Sequence, residues 1–396
     1  MNKKEIAEIK KQFSEDRSTI GRIASCYVDG DKNIRFTNVD AFASLQKEEE
    51  LKYYDLFRKS MSGSIGANLY TMEFTIDAEK EGGEWDFLYK LLQSELKDDE
   101  LIGEFFNKVI ASYDYGENYY MVLIHSKYDV PGKTKDGLDL DDSSDMVHSY
   151  LNFMICPVSL SKAGLSYNAE ENMMSDRIRD WVVDKPMTAF MFPAFNERQT
   201  DLHSVLYFTK SAKEDHKEFV DNILHSEPIR TNLEEKATFN ELIAETLSEE
   251  CEFEVVKNIH DNIKELVDLN KDNPDPVMVT KDELKQILYD SGASDNKMEN
   301  FEKEFNDVVG ENKTMLATNL LNKRSFKIET DDIKITVNPE RTDLIETKVI
   351  DGRNCLVIAI DSHLTINGLD ARAFAGVENP DDDLDPDIDL DPDENL

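Results

Sequence analysis

The chain carries its densest group of reactive side chains between residues 176 and 203. Asp201 and His203 are two residues apart at the edge of a predicted strand, so we expect both side chains to project to one face. A carboxylate beside an imidazole can transfer a proton, and together with Glu197 the pair could ligate a divalent metal ion. Asp201 and His203 are therefore candidate catalytic residues, and Asp201, His203 and Glu197 are candidate metal ligands.

Three further residues complete the candidate catalytic set. Arg177 and Arg198 could bind an anionic substrate, because a guanidinium group pairs with phosphate or carboxylate oxygens. His125 ends a strongly apolar predicted strand near Asp129, at a position where a sheet edge can expose an imidazole. No organic cofactor is predicted, and a divalent metal ion belongs only to this catalytic hypothesis.

The alternative interpretation of the same residues is structural. Asp176 with Arg179, and Arg177 with Asp180, have the spacing of ion pairs along one helix. His203 would then simply lie at the start of a strand. The sequence leaves both interpretations open, and it contains no phosphate-binding glycine loop or nucleophile elbow.

The elements that must position these residues mix strands and helices in the first half of the chain. The segments YYMVLIH (119–125) and YLNFMICPVSL (150–160) are uniformly apolar, which predicts central strands covered on both faces. Two more strands are predicted at 189–195 and 203–209, and Glu197, Arg198 and Asp201 lie between them. The pattern predicts an α+β fold with an N-terminal mixed α/β domain over residues 1–212.

A helical region is predicted over residues 213–310. Its clearest helix spans 252–269, with apolar residues at three- and four-residue spacing. Residues 283–308 have the outline of a helix, a glycine turn and a second helix. Because the second helix is acidic rather than basic, this outline indicates a packed helical hairpin better than a unit that reads DNA.

The C-terminal part changes to a period-two pattern, which predicts a small antiparallel β domain over residues 311–370. Asp351-Gly352 is a typical two-residue hairpin turn. Residues 371–396 combine repeated acidic residues with prolines, and we expect them to form a disordered acidic tail.

Charge is the strongest compositional signal. The chain has 83 acidic and 45 basic residues, a formal net charge of −38, and its last 20 residues contain ten acidic and no basic ones. Removing these ten charges leaves −28 on the rest of the chain. Such a surface repels phosphate backbones and anionic lipids and favours cationic partners. Direct nucleic-acid binding is therefore disfavoured unless the few basic residues gather on one face.

No apolar segment is long enough to span a membrane, and the N-terminal residues MNKKEIAEIKKQF do not have the pattern of a secretory signal. The four cysteines are scattered and include no C-x-x-C pair, which predicts reduced, mostly buried thiols rather than a disulfide framework or a zinc site. These features predict a cytoplasmic protein. They do not indicate an oligomeric state.

Several motifs resemble a Firmicutes family catalogued as domain of unknown function 4317. They include ENYYMVLIH, ICPVSLSKAGLSYN, FPAFNERQTDLHS and NPERTDLIETKVIDGR, and the resemblance extends from the first residue to about Gly368. It implies an intracellular protein and brings no activity or catalytic residue with it. Over roughly the last third, the order of elements is also weakly similar to the bacterial nucleoid-associated protein family, but the chain lacks the basic surface that duplex DNA requires.

Two functional hypotheses follow, with a third as a weaker alternative. The first is a non-enzymatic interaction protein whose acidic surface and tail bind a basic partner. The second is a metal-assisted hydrolase or nuclease-like enzyme centred on Asp201 and His203. The third is a protein of the nucleoid-associated type. Non-enzymatic binding is the preferred hypothesis.

Overall fold

The computed structural model describes residues 1–133, 139–211, 216–226, 230–311, 313–322, 325–361 and 363–371. Helices account for 36% and strands for 32% of the chain, which confirms the predicted α+β class. The helices are α1 (Lys3–Lys10), α2 (Lys47–Lys59), α3 (Glu84–Gln93), α4 (Asp99–Ser112), α5 (Lys217–Phe219), α6 (Asn232–Leu247), α7 (Phe253–Leu269), α8 (Lys281–Asp290), α9 (Asp295–Met298), α10 (Phe301–Val308) and α11 (Ala317–Leu320).

The strands of the N-terminal half are β1 (Ile20–Val28), β2 (Ile34–Ala41), β3 (Leu69–Glu73), β4 (Tyr119–Lys133), β5 (Asp139–Leu160), β6 (Leu165–Asn168), β7 (Met173–Asp176), β8 (Trp181–Val183), β9 (Thr188–Phe192), β10 (Ala194–Asn196), β11 (Gln199–Asp201) and β12 (Ser204–Thr209). Later strands are β13 (Met278–Val279), β14 (Met315–Leu316), β15 (Phe326–Glu329), β16 (Lys334–Val337), β17 (Ile345–Ile350), β18 (Arg353–Ile358), β19 (Leu364–Ile366) and β20 (Leu369–Ala371).

One antiparallel sheet organises the N-terminal half. Its strand order is β2-β1-β4-β5-β9-β12-β3, and β8 pairs with the end of β5. Strands β4 and β5 lie in the middle of the sheet, with Leu123 opposite both Ala24 and Phe153. The prediction that the two uniformly apolar segments form central strands is therefore confirmed.

Helices cover both faces of this sheet. On one face, α3, α4 and the helical turn that follows α5 pack in a core that includes Leu91, Phe105 and Phe219. On the other face, α1 and α2 contribute Ile9 and Phe57. Each fully buried large apolar side chain contributes about 1.5–3 kcal/mol to folding. Period-two alternation along β4 supplies both cores, which explains why its sequence shows no polar face.

The helical region was correctly predicted from periodicity. Thr280 and Glu283 form the expected capping box at the start of α8, in which each side chain accepts a backbone N–H of the other residue. After the glycine turn, α9 and α10 follow, and Phe301 and Phe305 of α10 are buried. Helix α10 packs on α6 as part of a helical bundle.

Contacts divide the chain into two compact units, which we describe separately. The first comprises residues 1–251 and 259–321, and it holds the large sheet and most helices. The second comprises residues 252–258 together with residues from 322 onward, and it holds the hairpins β15–β16, β17–β18 and β19–β20. The division into domains at residues 212, 310 and 370 stays a prediction, and the acidic tail from residue 372 lies outside the described residues.

Asp351 and Gly352 form the two-residue turn between β17 and β18, as predicted. Their φ angles are 50° and 74°, and Ile350 pairs directly with Arg353. Positive φ at both positions is the type I′ geometry that matches the twist of a hairpin. This part of the fold follows from a two-residue motif alone.

The cysteines and the apolar character of the helices can be compared with the predictions. All four cysteines are free, and Cys26 and Cys156 are buried, whereas Cys251 is exposed and Cys355 is half-buried. Across the described ranges, no helix has the length and apolar character needed to cross a membrane.

Candidate functional site

A large cavity lies beside the terminal strand of the sheet, β3, and has a volume of about 1160 Å³. Helix α1 contributes its first turn to the wall, and the hairpin β10–β11 contributes another side. The helical region contributes α6, the segment 275–278 and the segment around α11. All of these parts belong to the first compact unit.

The start of α1 is fixed at the cavity by its own cap. The Asn2 side chain accepts the N–H groups of Lys4 and Glu5, and the Glu5 carboxylate accepts the N–H of Asn2 at 2.7 Å. The Asn2 amide also donates to the Asp275 carboxylate at 2.9 Å, and the N–H of Lys3 donates to the Pro274 carbonyl. Two carboxylates, on Glu5 and Asp275, are thereby placed in the cavity wall.

The hairpin β10–β11 turns at Glu197 and Arg198, whose φ angles are 51° and 57°. This is again type I′ geometry, but without glycine or asparagine, so the turn carries backbone strain. The Arg198 guanidinium donates to the Glu8 carboxylate of α1 at 3.0–3.3 Å and to the Pro131 carbonyl at 3.1 Å. Arg198 therefore holds the turn against α1.

Asp201 ends β11 and lines the cavity. Its carboxylate accepts hydrogen bonds from the Asn196 amide at 2.6 Å, from the Ser204 hydroxyl and from the N–H of His203 at 3.0 Å. Burial opposes ionisation of Asp201, but these hydrogen bonds outweigh it, and the pKa of the carboxyl lies below its ordinary value. Asp201 is thus an ionised, well-positioned group.

His203 lies in the turn between β11 and β12, outside both strands, so strand alternation does not place its side chain beside that of Asp201. Its imidazole pairs with the Glu79 carboxylate at 2.7 Å, and the side chain is 76% exposed. The hydrogen bond and charge of Glu79 raise the pKa of His203. Neither His203 nor Glu79 belongs to the lining of the cavity that Asp201 lines, although the charge of Asp201 also raises the pKa of His203.

The structure disperses the remaining candidates. His125 is buried in β4, where its Nε2 lies 2.9 Å from the Ser149 hydroxyl, and burial lowers its pKa to about 4. Arg177 is exposed between β7 and β8, and the helix interpretation of residues 176–180 is wrong because Asp176 ends β7 and residues 177–180 have no regular secondary structure. In the described part of the chain, no hydrogen bond or ion pair joins His125 or Arg177 to Asp201.

Of the candidate residues, Asp201 and Glu197 line the cavity, whereas His203, His125, Arg177 and Arg198 do not. Within the described residues, no group of three His, Cys, Asp or Glu side chains is arranged to hold a metal ion. The divalent-metal hypothesis stays a prediction. What the structure brings together instead is a set of carboxyl groups.

Sequence reasoning missed Glu235, which forms part of the cavity wall from α6. Its carboxyl group accepts the Leu316 N–H at 2.6 Å and the Asn319 amide at 2.7 Å, and Asn319 also donates to the Gly66 carbonyl at 2.9 Å. Burial raises the pKa of Glu235, although both hydrogen bonds oppose that rise. The available signal was its spacing with Phe239, which places this glutamate on the apolar face of α6.

Gly66, which belongs to this network, occupies a position that does not suit a residue with a Cβ. Gly66 has a φ of 78°, and a Cβ at this position would lie 2.0 Å from Cδ2 of Leu316. The chain needs glycine here for both conformation and space. The close approach fixes the loop before β3 against the helical region.

The cavity is acidic. The Met1 amine donates to the Thr71 hydroxyl at 2.6 Å, and burial lowers the pKa of this amine despite the nearby carboxylates. The lining holds three cationic groups, which are the Met1 amine, Arg230 and Lys313. Twice as many carboxyl groups line it, namely Glu5, Glu73, Glu197, Asp201, Glu235 and Asp275.

Strand β3 gives this cavity a free sheet edge. Strand β12 pairs with one side of β3, and in that pairing the Phe74 N–H donates to the His203 carbonyl. Antiparallel alternation then directs the backbone groups of Thr71 and Glu73 to the opposite side. That outer side is already occupied at both ends within the described residues, because the Gly66 N–H donates to the Leu69 carbonyl and the Thr75 N–H donates to the His225 carbonyl. The open part of the edge is therefore short and is centred on Thr71.

A second, smaller depression of about 460 Å³ lies at the end of α1 and is basic. Its cations are Lys10, Lys11, Arg17 and Arg58, and both burial and the charge of Arg58 lower the pKa of Lys10. Some of the basic residues therefore do lie together on one part of the surface. Four cations remain fewer than the roughly six to ten phosphate contacts of a protein that binds duplex DNA strongly.

Comparison with known proteins gives one family. The family model described as "Domain of unknown function (DUF4317)" matches residues 1–369, which confirms the resemblance to that family. No curated protein matches the chain.

Proposed function

Since the chain belongs to the DUF4317 family, a domain of unknown function, we propose from its acidic cavity that it is a non-enzymatic protein that binds a basic, extended polypeptide segment. One observation carries this proposal. Six carboxyl groups line a cavity that also contains the free edge of a large sheet.

The free edge supports an extended ligand. The outward backbone groups of Thr71 can pair with a short peptide segment that adds to the sheet edge, as in other domains that bind peptides by strand addition. The segment 225–226 covers the edge beyond Glu73. The exposed Glu73 side chain lies on this strand. A bound strand would present every second side chain to the carboxylates of the cavity.

The charges support a basic ligand. Within the described residues, the side chains of Glu73 and Glu197 make no hydrogen bond or ion pair, so their carboxylates are available to a ligand. The charge of Glu73 also contributes to the raised pKa of His203. Exposed ion pairs contribute about 0.2–1 kcal/mol each, and several of them at one site distinguish a basic peptide from an acidic one. The cytoplasmic location predicted above would place the protein among many basic polypeptides.

The hydrolase hypothesis has less support. It needs Asp201, His203 and Glu197 to converge on one ion, but His203 pairs with Glu79 outside the cavity lining, and Asp201 already accepts three hydrogen bonds. Metal analysis of the purified protein by mass spectrometry tests this alternative. A stoichiometric divalent ion that is lost in Asp201→Ala would favour it over peptide binding.

The proposal is tested with a ten-residue peptide that alternates lysine with valine and is blocked at both ends. We expect isothermal titration calorimetry to detect binding that weakens as salt rises, because salt screens exposed charge pairs. The Glu73→Gln/Glu197→Gln variant should bind about 3- to 30-fold more weakly. The matched control Glu241→Gln/Glu245→Gln removes two exposed charges from α6 outside the cavity and should bind as the wild type does.

Two further peptides separate charge from strand addition. A version with alternate backbone nitrogens methylated keeps its charge but cannot complete the sheet hydrogen bonds, and we expect it to bind at least about tenfold more weakly. A version with glutamate in place of lysine should not bind. Equal affinity for the lysine and glutamate peptides, or equal affinity for both double variants, would refute the proposal.

A further inference from the structure

Residues 158–183 form a two-stranded extension of the large sheet. We call this segment the ribbon. At its base, Val158 and Leu160 of β5 pair with Val183 and Trp181 of β8. Beyond this base the pairing continues through a hydrogen bond from the N–H of Ser161 to the Asp180 carbonyl. Strands β6 and β7 then form the outer part.

The ribbon exposes large apolar side chains more densely than any other described segment of similar length. Nine of the 25 strongly exposed large apolar side chains among the described residues lie between Leu160 and Val183. Six of them are more than half exposed, namely Leu165, Tyr167, Met173, Met174, Ile178 and Trp181. Exposed apolar patches of this kind mark interaction surfaces.

The ribbon has no core of its own. No residue of β6, β7 or β8 is fully buried, and Ile178 between them is 86% exposed. A two-stranded hairpin is marginally stable in water unless a further surface covers it. The outer edges of β6 and β7 are also open within the described residues, since these strands pair only with each other.

Charge indicates what covers the ribbon. Its acids are Glu170, Glu171, Asp176 and Asp180, and its cations are Lys162, Arg177 and Arg179, so the net charge is −1. The whole chain carries −38. Because the chain is strongly acidic, most surfaces of two copies would repel each other. The ribbon has almost no net charge, so two ribbons can come into contact without this repulsion. A basic partner, in contrast, gains little attraction from a neutral surface.

We propose that the ribbon is the interface of a homodimer, in which the ribbons of two copies pair edge to edge about a two-fold axis. A two-fold axis places the same patch on both sides, so it requires a surface that complements itself. The ribbon meets this requirement with open strand edges, apolar side chains and charges of both signs. This inference does not depend on the proposed peptide binding.

Analytical ultracentrifugation of the full chain tests the proposal. We expect a dimer at micromolar concentration that becomes stronger as salt rises, because salt screens the repulsion between two acidic bodies. The Met174→Glu/Ile178→Glu variant places four like charges in the dimer interface and should weaken dimerisation at least about a hundredfold. The control Ile76→Glu/Leu269→Glu makes the same change at two exposed apolar residues outside the ribbon and should still dimerise.

Acrylamide quenching of tryptophan fluorescence provides a local measurement. Trp181 lies in β8 and is 55% exposed, so its quenching should decrease as the wild-type chain is concentrated and the dimer forms. Circular dichroism establishes that the ribbon variant remains folded. A monomer at all concentrations up to about 100 µM, or an unchanged dimer in the ribbon variant, would disprove the interface.

Discussion

At the scale of single residues, Asp201 and His203 show that two residues close in sequence can have different partners in the structure. Asp201 and His203 are neighbours in sequence, but β11 ends at Asp201 and β12 begins at Ser204, so a turn separates their side chains. The imidazole pairs with Glu79, whereas the carboxylate lines the cavity. The sequence predicted Asp201 and His203 as one candidate pair, but strand alternation could not predict where His203 would lie.

Two buried histidines predict how stability depends on pH. Burial lowers the pKa of His125 to about 4 and that of His148 to about 3, compared with about 6.5 when unfolded. The unfolded chain therefore binds more protons between these values, and stability falls as pH decreases through this window. Each neutral histidine removes about 1.4 kcal/mol of stability per pH unit below 6.5, until its folded pKa is reached.

Urea unfolding at several pH values between 6.5 and 4.5, followed by tryptophan fluorescence, measures this effect, because Trp85 and Trp181 both lie in the first compact unit. We expect His125→Gln or His148→Gln to flatten the dependence of unfolding free energy on pH by about 1.4 kcal/mol per unit. His363→Gln, at an exposed position in the second unit, serves as the control. An unchanged slope in both buried variants would show that these histidines do not govern acid stability.

At the scale of elements, the strained backbone of the β10–β11 turn lowers the free energy of unfolding, and substitutions at Glu197 can measure by how much. Glu197 occupies the left-handed region, which costs a residue with a Cβ about 1 kcal/mol and which asparagine tolerates best after glycine. We expect Glu197→Asn to raise the free energy of unfolding by up to about 1 kcal/mol and Glu197→Val to lower it by at least as much. Urea denaturation measures both changes.

Glu117→Asn, which changes an exposed glutamate outside that turn and outside the ribbon in the same way, controls for the loss of charge. If it stabilises the protein as much as Glu197→Asn does, the gain comes from reduced charge repulsion and not from the turn.

Most elements of the fold could be predicted because their signals are local. Uniform apolar segments identified β4 and β5, a capping box identified the start of α8, and Asp351-Gly352 identified its hairpin. The ribbon could not be predicted in this way. Its acids and arginines are spaced as in a helix, but cross-strand pairing with β5 determines the conformation of β8.

The candidate site was predictable only in part, for the same reason. Glu197 and Asp201 were identified within one short motif. The cavity also depends on Asn2, Glu73 and Glu235, which long-range packing brings together. Local patterns carry no information about such convergence.

At the scale of the whole molecule, we expect net charge to affect the rate of association with a partner. The segment 377–396 contains ten of the acidic residues, and long-range attraction acts mainly on the rate of encounter. We expect deletion of this segment to lower the association rate constant of the lysine–valine peptide several-fold at low salt, with little change in its dissociation rate. Stopped-flow fluorescence with a dye-labelled peptide measures both rates.

A matched variant that changes the ten acids of this segment to Asn and Gln keeps its length and removes its charge. It should behave as the deletion does, and at high salt all three proteins should associate at similar rates. If the neutralised variant binds the peptide with the same association rate constant as the wild type, these charges do not accelerate the encounter.

The hydrogen bond from Asn319 to the Gly66 carbonyl joins residues 253 positions apart. The ribosome therefore makes β3 early, but the groups that close the cavity around it emerge only after most of the chain has been translated. During that interval a nascent chain exposes the open part of the β3 edge before Arg230, Glu235 and Asp275, which line the cavity beside it, have been made. A fragment that ends at residue 212 would lack these residues and also Phe219, which belongs to the core on one face of the sheet.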